Sequence, residues 1–176
     1  MEFEPAALEG VWIVHSEPAR DERGWFARTF DREAFDAHGI GFDVVHANTS
    51  FNARRGTLRG MHWQADPHGE RKLIRCVRGA VYDVVVDVRD GSPTRGEWLA
   101  VELSEPGERM LYVPEGFAHG FQTLQDASEL AYLMSHHYVP EAARGLRFDD
   151  PALGIAWPDG PRIVSERDRS HPDFAP

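Results

Sequence analysis

The segment Val81-Tyr82-Asp83-Val84-Val85-Val86-Asp87-Val88-Arg89 reads as an extended strand with two distinct faces. Side chains alternate with period two, so Tyr82, Val84, Val86 and Val88 share one face and Asp83, Val85 and Asp87 the other. Similar short stretches lie on either side: Lys72 to Val77, Trp98 to Leu103, Arg109 to Val113, His119 to Leu124 and Glu129 to His136. Turn signals separate them, among them Asp90-Gly91-Ser92-Pro93 and Pro114-Glu115-Gly116. Several short strands at regular spacing predict an all-β sandwich or barrel. A parallel sheet would need helical crossovers, and the sequence offers none of that length. Two short helical turns are expected, Asp31 to His38 with Asp31 as N-cap and Gly39 past its end, and Pro140 to Arg144 closed by Gly145.

The chain has 176 residues, which predicts one domain spanning 1–176. Nineteen basic against twenty-nine acidic residues give a net charge of −10, which disfavours nucleic acid as a partner. No apolar run approaches the ~20 residues that span a bilayer, so no membrane association is expected. The start, Met1-Glu2-Phe3-Glu4-Pro5, has neither a basic nor an apolar leader region. A single cysteine, Cys76, excludes an internal disulfide and any cysteine-based zinc cluster. A cytoplasmic protein is the expectation. Lys72 is the only lysine; every other basic residue is arginine.

No phosphate-binding glycine loop and no nucleophilic-serine elbow is present. The stretches that could carry chemistry are Gly56-Thr57-Leu58-Arg59-Gly60-Met61-His62-Trp63-Gln64, Lys72-Leu73-Ile74-Arg75-Cys76 and Pro114-Glu115-Gly116-Phe117-Ala118-His119-Gly120-Phe121. In a cupin-type barrel such segments line the mouth of the lumen. A metal-dependent cupin carries His-x-His where this chain has His62-Trp63-Gln64, and an amide is a poor ligand for a transition metal. A histidine in such a pocket is free to act as a base. Taken alone, His62 reads as a hydrogen-bonded core histidine, Asp168 as a solvated tail carboxylate and Tyr132 as a half-buried strand residue. Asp83 competes with Asp168 as partner for His62 or Lys72. Trp25 and Phe26 read equally as ordinary core. Arg59 carries a geometric difficulty: on an ideal strand it faces away from His62, so sharing a site requires a bulge, expected at Gly60.

From about Val11 to Phe174 the chain resembles the dTDP-4-dehydrorhamnose 3,5-epimerase family. The resemblance rests on Asp21-Glu22-Arg23-Gly24-Trp25-Phe26, Leu58 to Gln64, Lys72 to Cys76, Ser92-Pro93-Thr94, Pro114 to Phe121, Asp150-Pro151, Trp157-Pro158 and Ser165-Glu166-Arg167-Asp168. It implies a cupin-type jelly roll with a few short helices, a homodimer, no metal or organic cofactor, and a nucleotide-linked 4-keto-6-deoxy sugar as substrate. It further implies that His62 is the base, Asp168 orients it, Lys72 stabilises the enolate oxygen and Tyr132 is the acid. Arg23 and Arg59 take the family's phosphate-contact positions. Phe26, Asn48, Gln64, His119 and Tyr138 take other substrate-contact positions. The N-terminal segment around Trp25 and Phe26 is expected to cross to the partner subunit, and the tail, 140–176, to complete the site.

Four positions depart from the family pattern. His46 stands where a glutamine is usual, Arg28 where a glutamate follows, Ala143 near another glutamate, and Arg167 where a lysine precedes the dyad aspartate. These departures predict epimerase chemistry with an altered grip on the nucleotide or the sugar. Two other readings remain open on the residues. One is a metal-dependent dioxygenase or isomerase that uses His62, His119 and a carboxylate. The other is a sugar-nucleotide binding module without catalysis.

Overall fold

Fourteen strands and two short helices make up residues 1–160 and 162–175, which the computed structural model describes. In chain order they are β1 (Glu2–Pro5), β2 (Trp12–His15), β3 (Ala19–Asp21), β4 (Gly24–Phe26), α1 (Arg32–Ala37), β5 (His46–Asn52), β6 (Thr57–Gln64), β7 (Lys72–Arg78), β8 (Ala80–Asp87), β9 (Trp98–Ser104), β10 (Arg109–Val113), β11 (Phe117–Thr123), β12 (Ser128–Met134), β13 (Ala143–Gly145), β14 (Ile163–Val164) and α2 (Glu166–Arg169). Positions 161 and 176 of the expected 140–176 tail lie outside the described residues. No helix among the described residues is long and apolar enough to cross a membrane.

Two sheets face each other. One runs β1-β2-β10-β7-β12-β5, and the other β13-β6-β11-β8-β9 with β14 added parallel to β6. The valine-rich strand β8 explains the layering. Its odd face, Val81 and Val85, joins Ile13, Ile74, Leu111, Phe117, Phe121 and Leu130 in the core between the sheets. Its even face, Val84 and Val86, packs on the outer side against Leu146, Phe148, Leu153 and Trp157 from the C-terminal segment. On the opposite outer side, Phe35 of α1 with Ile40 and Phe42 covers Val14, Leu73 and Met110. Both faces of the central strands are therefore covered, which is why their polar positions are few. Helix α1 starts where the sequence marks it: the Asp31 carboxylate accepts from Glu33 and Ala34 N–H, and Gly39 follows the end with φ +72°.

Two regions differ from the sequence reading. Pro140 to Arg144 is not one helical turn: it turns and then enters β13, which pairs with the C-terminal end of β6. Strands β1 to β5 are additional to those expected from the sequence; β2, Trp12–His15, is aromatic and β-branched with Ile13 and Val14 buried, but the others carry no strong strand signal. Three of them are three or four residues long and mostly exposed, and β5, His-Ala-Asn-Thr-Ser-Phe-Asn, is a polar edge strand. An edge strand buries little, so little apolar patterning is required of it.

The register between β6 and β11 slips. His62 faces His119, but Arg59 faces Phe121, so two residues of β6 oppose one of β11. This is the bulge that Arg59 required, and it falls at Gly60-Met61. Gly60 has φ +140°, and a Cβ on it would lie 2.5 Å from the Cα of Gly120. Only glycine fits both the backbone angle and the contact. Gly60→Ala is expected to lower stability by about 2–3 kcal/mol, a fall of roughly 5–10 °C in Tm by calorimetry. Gly41→Ala, where the added Cβ meets only the Arg71 side chain at 3.5 Å, serves as the control and should stay within about 0.5 kcal/mol of the parent.

Candidate active site

The inter-sheet space is filled with apolar side chains at one end and opens at the other into a cavity of about 490 Å³. Its walls come from both sheets. On one wall β6 and β11 present Arg59, His62, Gln64, His119 and Phe121. On the facing wall β5, β7 and β12 present Asn48, Ser50, Lys72, Tyr132 and Met134. The C-terminal segment adds Tyr138, Arg144, Ser165, Arg167 and Asp168. Cationic residues outnumber carboxylates along the lining, with Arg59, Lys72, Arg144 and Arg167 against Glu70 and Asp168. A protein of net charge −10 thus concentrates positive charge in its cavity, as an anionic ligand requires.

His62 and Asp168 meet across 106 residues of sequence. Nε2 of His62 donates to Oδ1 of Asp168 at 2.7 Å. A carboxylate only accepts, so the proton sits on Nε2 and Nδ1 is left with a lone pair that can take a proton. Asp168 is not the solvated tail carboxylate that its neighbours suggest. One turn of helix, α2, turns it inward: Ser165 caps that turn by accepting from Asp168 N–H, and Asp168 is 4% exposed. Burial opposes its ionisation, yet the hydrogen bonds from His62 and the Ser165 hydroxyl hold its carboxyl below the usual range.

Lys72 is buried. Its ammonium lies 3.0 Å from Oε1 of Glu70 and donates to the His62 carbonyl at 3.3 Å. Glu70 is a site residue that the sequence reading missed. Its position two residues before Lys72 was the available signal, since that spacing puts both on one side of an extended chain. Tyr132 stands on the facing sheet, with its hydroxyl 3.3 Å from the Ser50 hydroxyl. Burial pushes its phenol well above the ordinary tyrosine range. Ser50 was also missed; it lies two residues beyond Asn48 on the inward face of β5. Arg59 is held by Asn52, which accepts from its Nε at 2.8 Å.

His119 and Asp83 form a separate buried pair at 2.9 Å. Asp83 is therefore the partner of His119 and not of His62 or Lys72. Gln64 lines the cavity, but its amide is committed: it donates to the carbonyls of His68 and His137 and accepts from Val139 N–H at 2.6 Å. That clamp holds the segment carrying Tyr138.

Five residues singled out in the sequence lie away from this cavity. Arg23 pairs with Asp21, and Phe26 is 78% exposed; both sit on the β3–β4 hairpin, beside a shallow groove of its own. Trp25 is exposed too and is not core. Arg28 pairs with Asp31 at the start of α1. Nε2 of His46 lies 3.1 Å from Nδ1 of His137.

An oriented imidazole, a phenol on the facing sheet and a buried ammonium around one cavity suit proton removal and return beside a carbonyl. Comparison with known proteins agrees. Residues 5–176 match the family model described as dTDP-4-dehydrorhamnose 3,5-epimerase. A dTDP-4-dehydrorhamnose 3,5-epimerase of Sinorhizobium fredii is 42% identical over 99% of this chain and 90% of that protein. The crystal structure of a Legionella pneumophila 3,5-epimerase in complex with dTDP-4-keto-L-rhamnose is 34% identical, with a TM-score of 0.92, covering 98% of this chain and 92% of that one. A 3'-monoepimerase from Streptomyces bikiniensis in complex with dTDP-quinovose is 39% identical, with a TM-score of 0.90, covering 96% and 86%. The two-sheet sandwich is the cupin-type jelly roll, and the chain belongs to the dTDP-4-dehydrorhamnose 3,5-epimerase family, a family of isomerases.

Proposed function

We propose that the protein epimerises a nucleotide-diphosphate-linked 4-keto-6-deoxy sugar at C3, with C5 the second carbon open to the same chemistry. One observation carries this reading: His62 and Tyr132 project from facing sheets into one cavity, with the Lys72 ammonium in its wall. The 4-keto group acidifies the adjacent C–H bonds. Nδ1 of His62 takes the C3 proton, and the electron pair moves onto the carbonyl oxygen. Lys72, held by Glu70, stabilises the enolate oxygen in a site where water screens little. Asp168 supports the imidazolium as it forms. Tyr132 returns a proton to the opposite face, and its configuration inverts. Arg59, Arg144 and Arg167 serve the diphosphate, for which planar guanidinium groups are suited. His119 and Asn48 bind the sugar.

The reading of His62 and His119 as joint ligands of a catalytic metal has less support. Each imidazole is engaged by its own carboxylate, Asp168 and Asp83, which separates them into two pairs. The single domain spanning 1–176 acts here as a homodimer. The exposed Trp25 and Phe26 on a hairpin outside both large sheets support that reading: the hairpin reaches over the partner's cavity and brings Arg23 and Phe26 to it. A lone, buried Cys76 thiol, pushed up to about 11 by its burial, fits a reducing cytoplasm.

The acid and base assignments separate in heavy water. With a 4-keto-6-deoxy nucleotide sugar, His62→Ala should lose C3 deuterium incorporation by about 10²–10⁴-fold while still binding ligand. Tyr132→Phe should still exchange deuterium with retention, yet form epimer about 10²-fold more slowly or worse. Both are read by NMR at each carbon. Equal loss of binding and exchange in His62→Ala means a structural histidine.

The phenol supplies a pH test. A tyrosine with a raised pKa stays protonated above the ordinary value of about 10, and the stability that this protonation contributes is lost only as pH climbs toward the raised value. The difference in 295 nm absorbance between parent and Tyr132→Phe should therefore develop above pH 10.

We also infer an altered grip on the nucleotide. His46 and Arg28 are engaged with His137 and Asp31, and Ala143 offers no side-chain carboxylate. In a thermal-shift panel of dTDP, UDP, GDP and CDP, a diphosphate other than dTDP should stabilise at least as well as dTDP. A clear preference for dTDP overturns this inference.

A further inference from the structure

A second imidazole stands against the catalytic pair. His171 follows α2, and its ring lies on the backbone of Gly145, where any Cβ would come within 2.4 Å of it. The side chain is 13% exposed. Its Nε2 is buried, makes no hydrogen bond among the described residues and lies 3.7 Å from Oδ1 of Asp168. The same carboxylate oxygen receives Nε2 of His62 at 2.7 Å. One acidic oxygen is thus flanked by two imidazole nitrogens, and the ligand atoms of all three residues lie within 4.8 Å of one another.

A buried ring nitrogen without a partner is uncommon, and here it is aimed at a carboxylate. Two imidazoles and one carboxylate form a donor set for Zn²⁺, Co²⁺ or Ni²⁺, and a poor one for Mg²⁺ or Ca²⁺, which take oxygen ligands. Zinc holds nitrogen and carboxylate ligands at about 2.0–2.2 Å, which sets tetrahedral ligand atoms roughly 3.4 Å apart, so the His62–Asp168 pair at 2.7 Å opens slightly and His171, at 3.7 Å from Asp168, draws slightly closer. The His171 ring packs on the Gly145 backbone, which only a residue without a side chain permits at that place.

We propose that His62, Asp168 and His171 form an inhibitory site for a divalent transition-metal ion. Binding follows from the three side chains; inhibition rests on His62 being the base. The effect comes from the tautomer. Without metal, Nε2 of His62 carries the proton that Asp168 accepts, and Nδ1 has the lone pair. A metal ion at Nε2 needs the lone pair there, so the ring proton moves to Nδ1. The nitrogen that must take the substrate's proton is then already protonated. The arginines that bind the diphosphate are untouched, so the metal lowers the exchange rate more than it weakens substrate binding.

The rival ligands are the rim histidines. His46 and His137 lie 3.1 Å apart at their nearest ring nitrogens, and the rings of His68 and His136 are 5.3 Å apart. The test uses tag-free, metal-stripped protein titrated with Co²⁺ and followed by its visible absorption, with Zn²⁺ as competitor. One equivalent should bind to the parent, and affinity should fall at least ~10-fold in His171→Ala and in His171→Gln. The double variant His46→Ala/His137→Ala should keep the parent's site. Circular dichroism on each variant checks that it is folded. In parallel, Zn²⁺ should suppress C3 deuterium exchange in the parent, EDTA should restore it, and each His171 variant, measured against its own metal-free rate, should need at least ~10-fold more Zn²⁺. Unchanged Co²⁺ binding in both folded His171 variants, or loss confined to the rim double variant, overturns the proposal. Co²⁺ bound through His171 in a protein that shows no exchange leaves the metal site standing and removes the epimerase reading; exchange without such binding does the reverse.

Discussion

Where β6 passes β11, two glycines meet backbone to backbone, and the site depends on that contact. Gly60 and Gly120 leave no room for a side chain between them, and Met61 is driven into the outer core. The extra residue reverses the alternation of β6, so Arg59 and His62 enter the same cavity although they are three apart. On a regular strand one of the two would be lost to the other side of the sheet. A strained glycine thus places the Arg59 guanidinium in the same cavity as the proposed base.

The two sheets divide the chemistry. One sheet contributes His62 and the other Tyr132, the two halves of the proposed proton-transfer pair. Lys72 and the two cavity histidines each stand beside a carboxylate. Lys72 has Glu70, His62 has Asp168, and His119 has Asp83. An isolated charge in such surroundings would cost several kcal/mol, so the buried Lys72 ammonium carries its own counter-charge in Glu70. His171 differs: among the described residues its Nε2 has no hydrogen-bond partner, and it stands beside a carboxylate that already has one.

The all-β architecture was legible because β6 to β12 are bounded by Gly/Pro turns and rich in β-branched residues. The strand Val81 to Arg89 even displayed its two faces, and Asp83 stood out on the inward one. Apart from β2, the N-terminal strands were not legible: short or edge strands with polar or exposed residues bury too little to leave a pattern. Most of the cavity lining was reached through family motifs, since His62, Lys72, Tyr132 and Asp168 each look ordinary in isolation. Glu70 and Ser50 escaped notice because their importance comes from what they touch.

By itself the sequence determined the alternating strands, the turns between them, the cap of α1 and the need for a bulge beside Arg59. Those are properties of neighbours a few residues apart, governed by backbone sterics and side-chain periodicity. Only the tertiary structure decided that Asp168 rather than Asp83 binds His62, that Gln64 clamps a loop, and that His171 abuts the pair. These are contacts between residues as many as 106 positions apart, and local periodicity carries no information about which distant carboxylate a folded chain brings to a given imidazole.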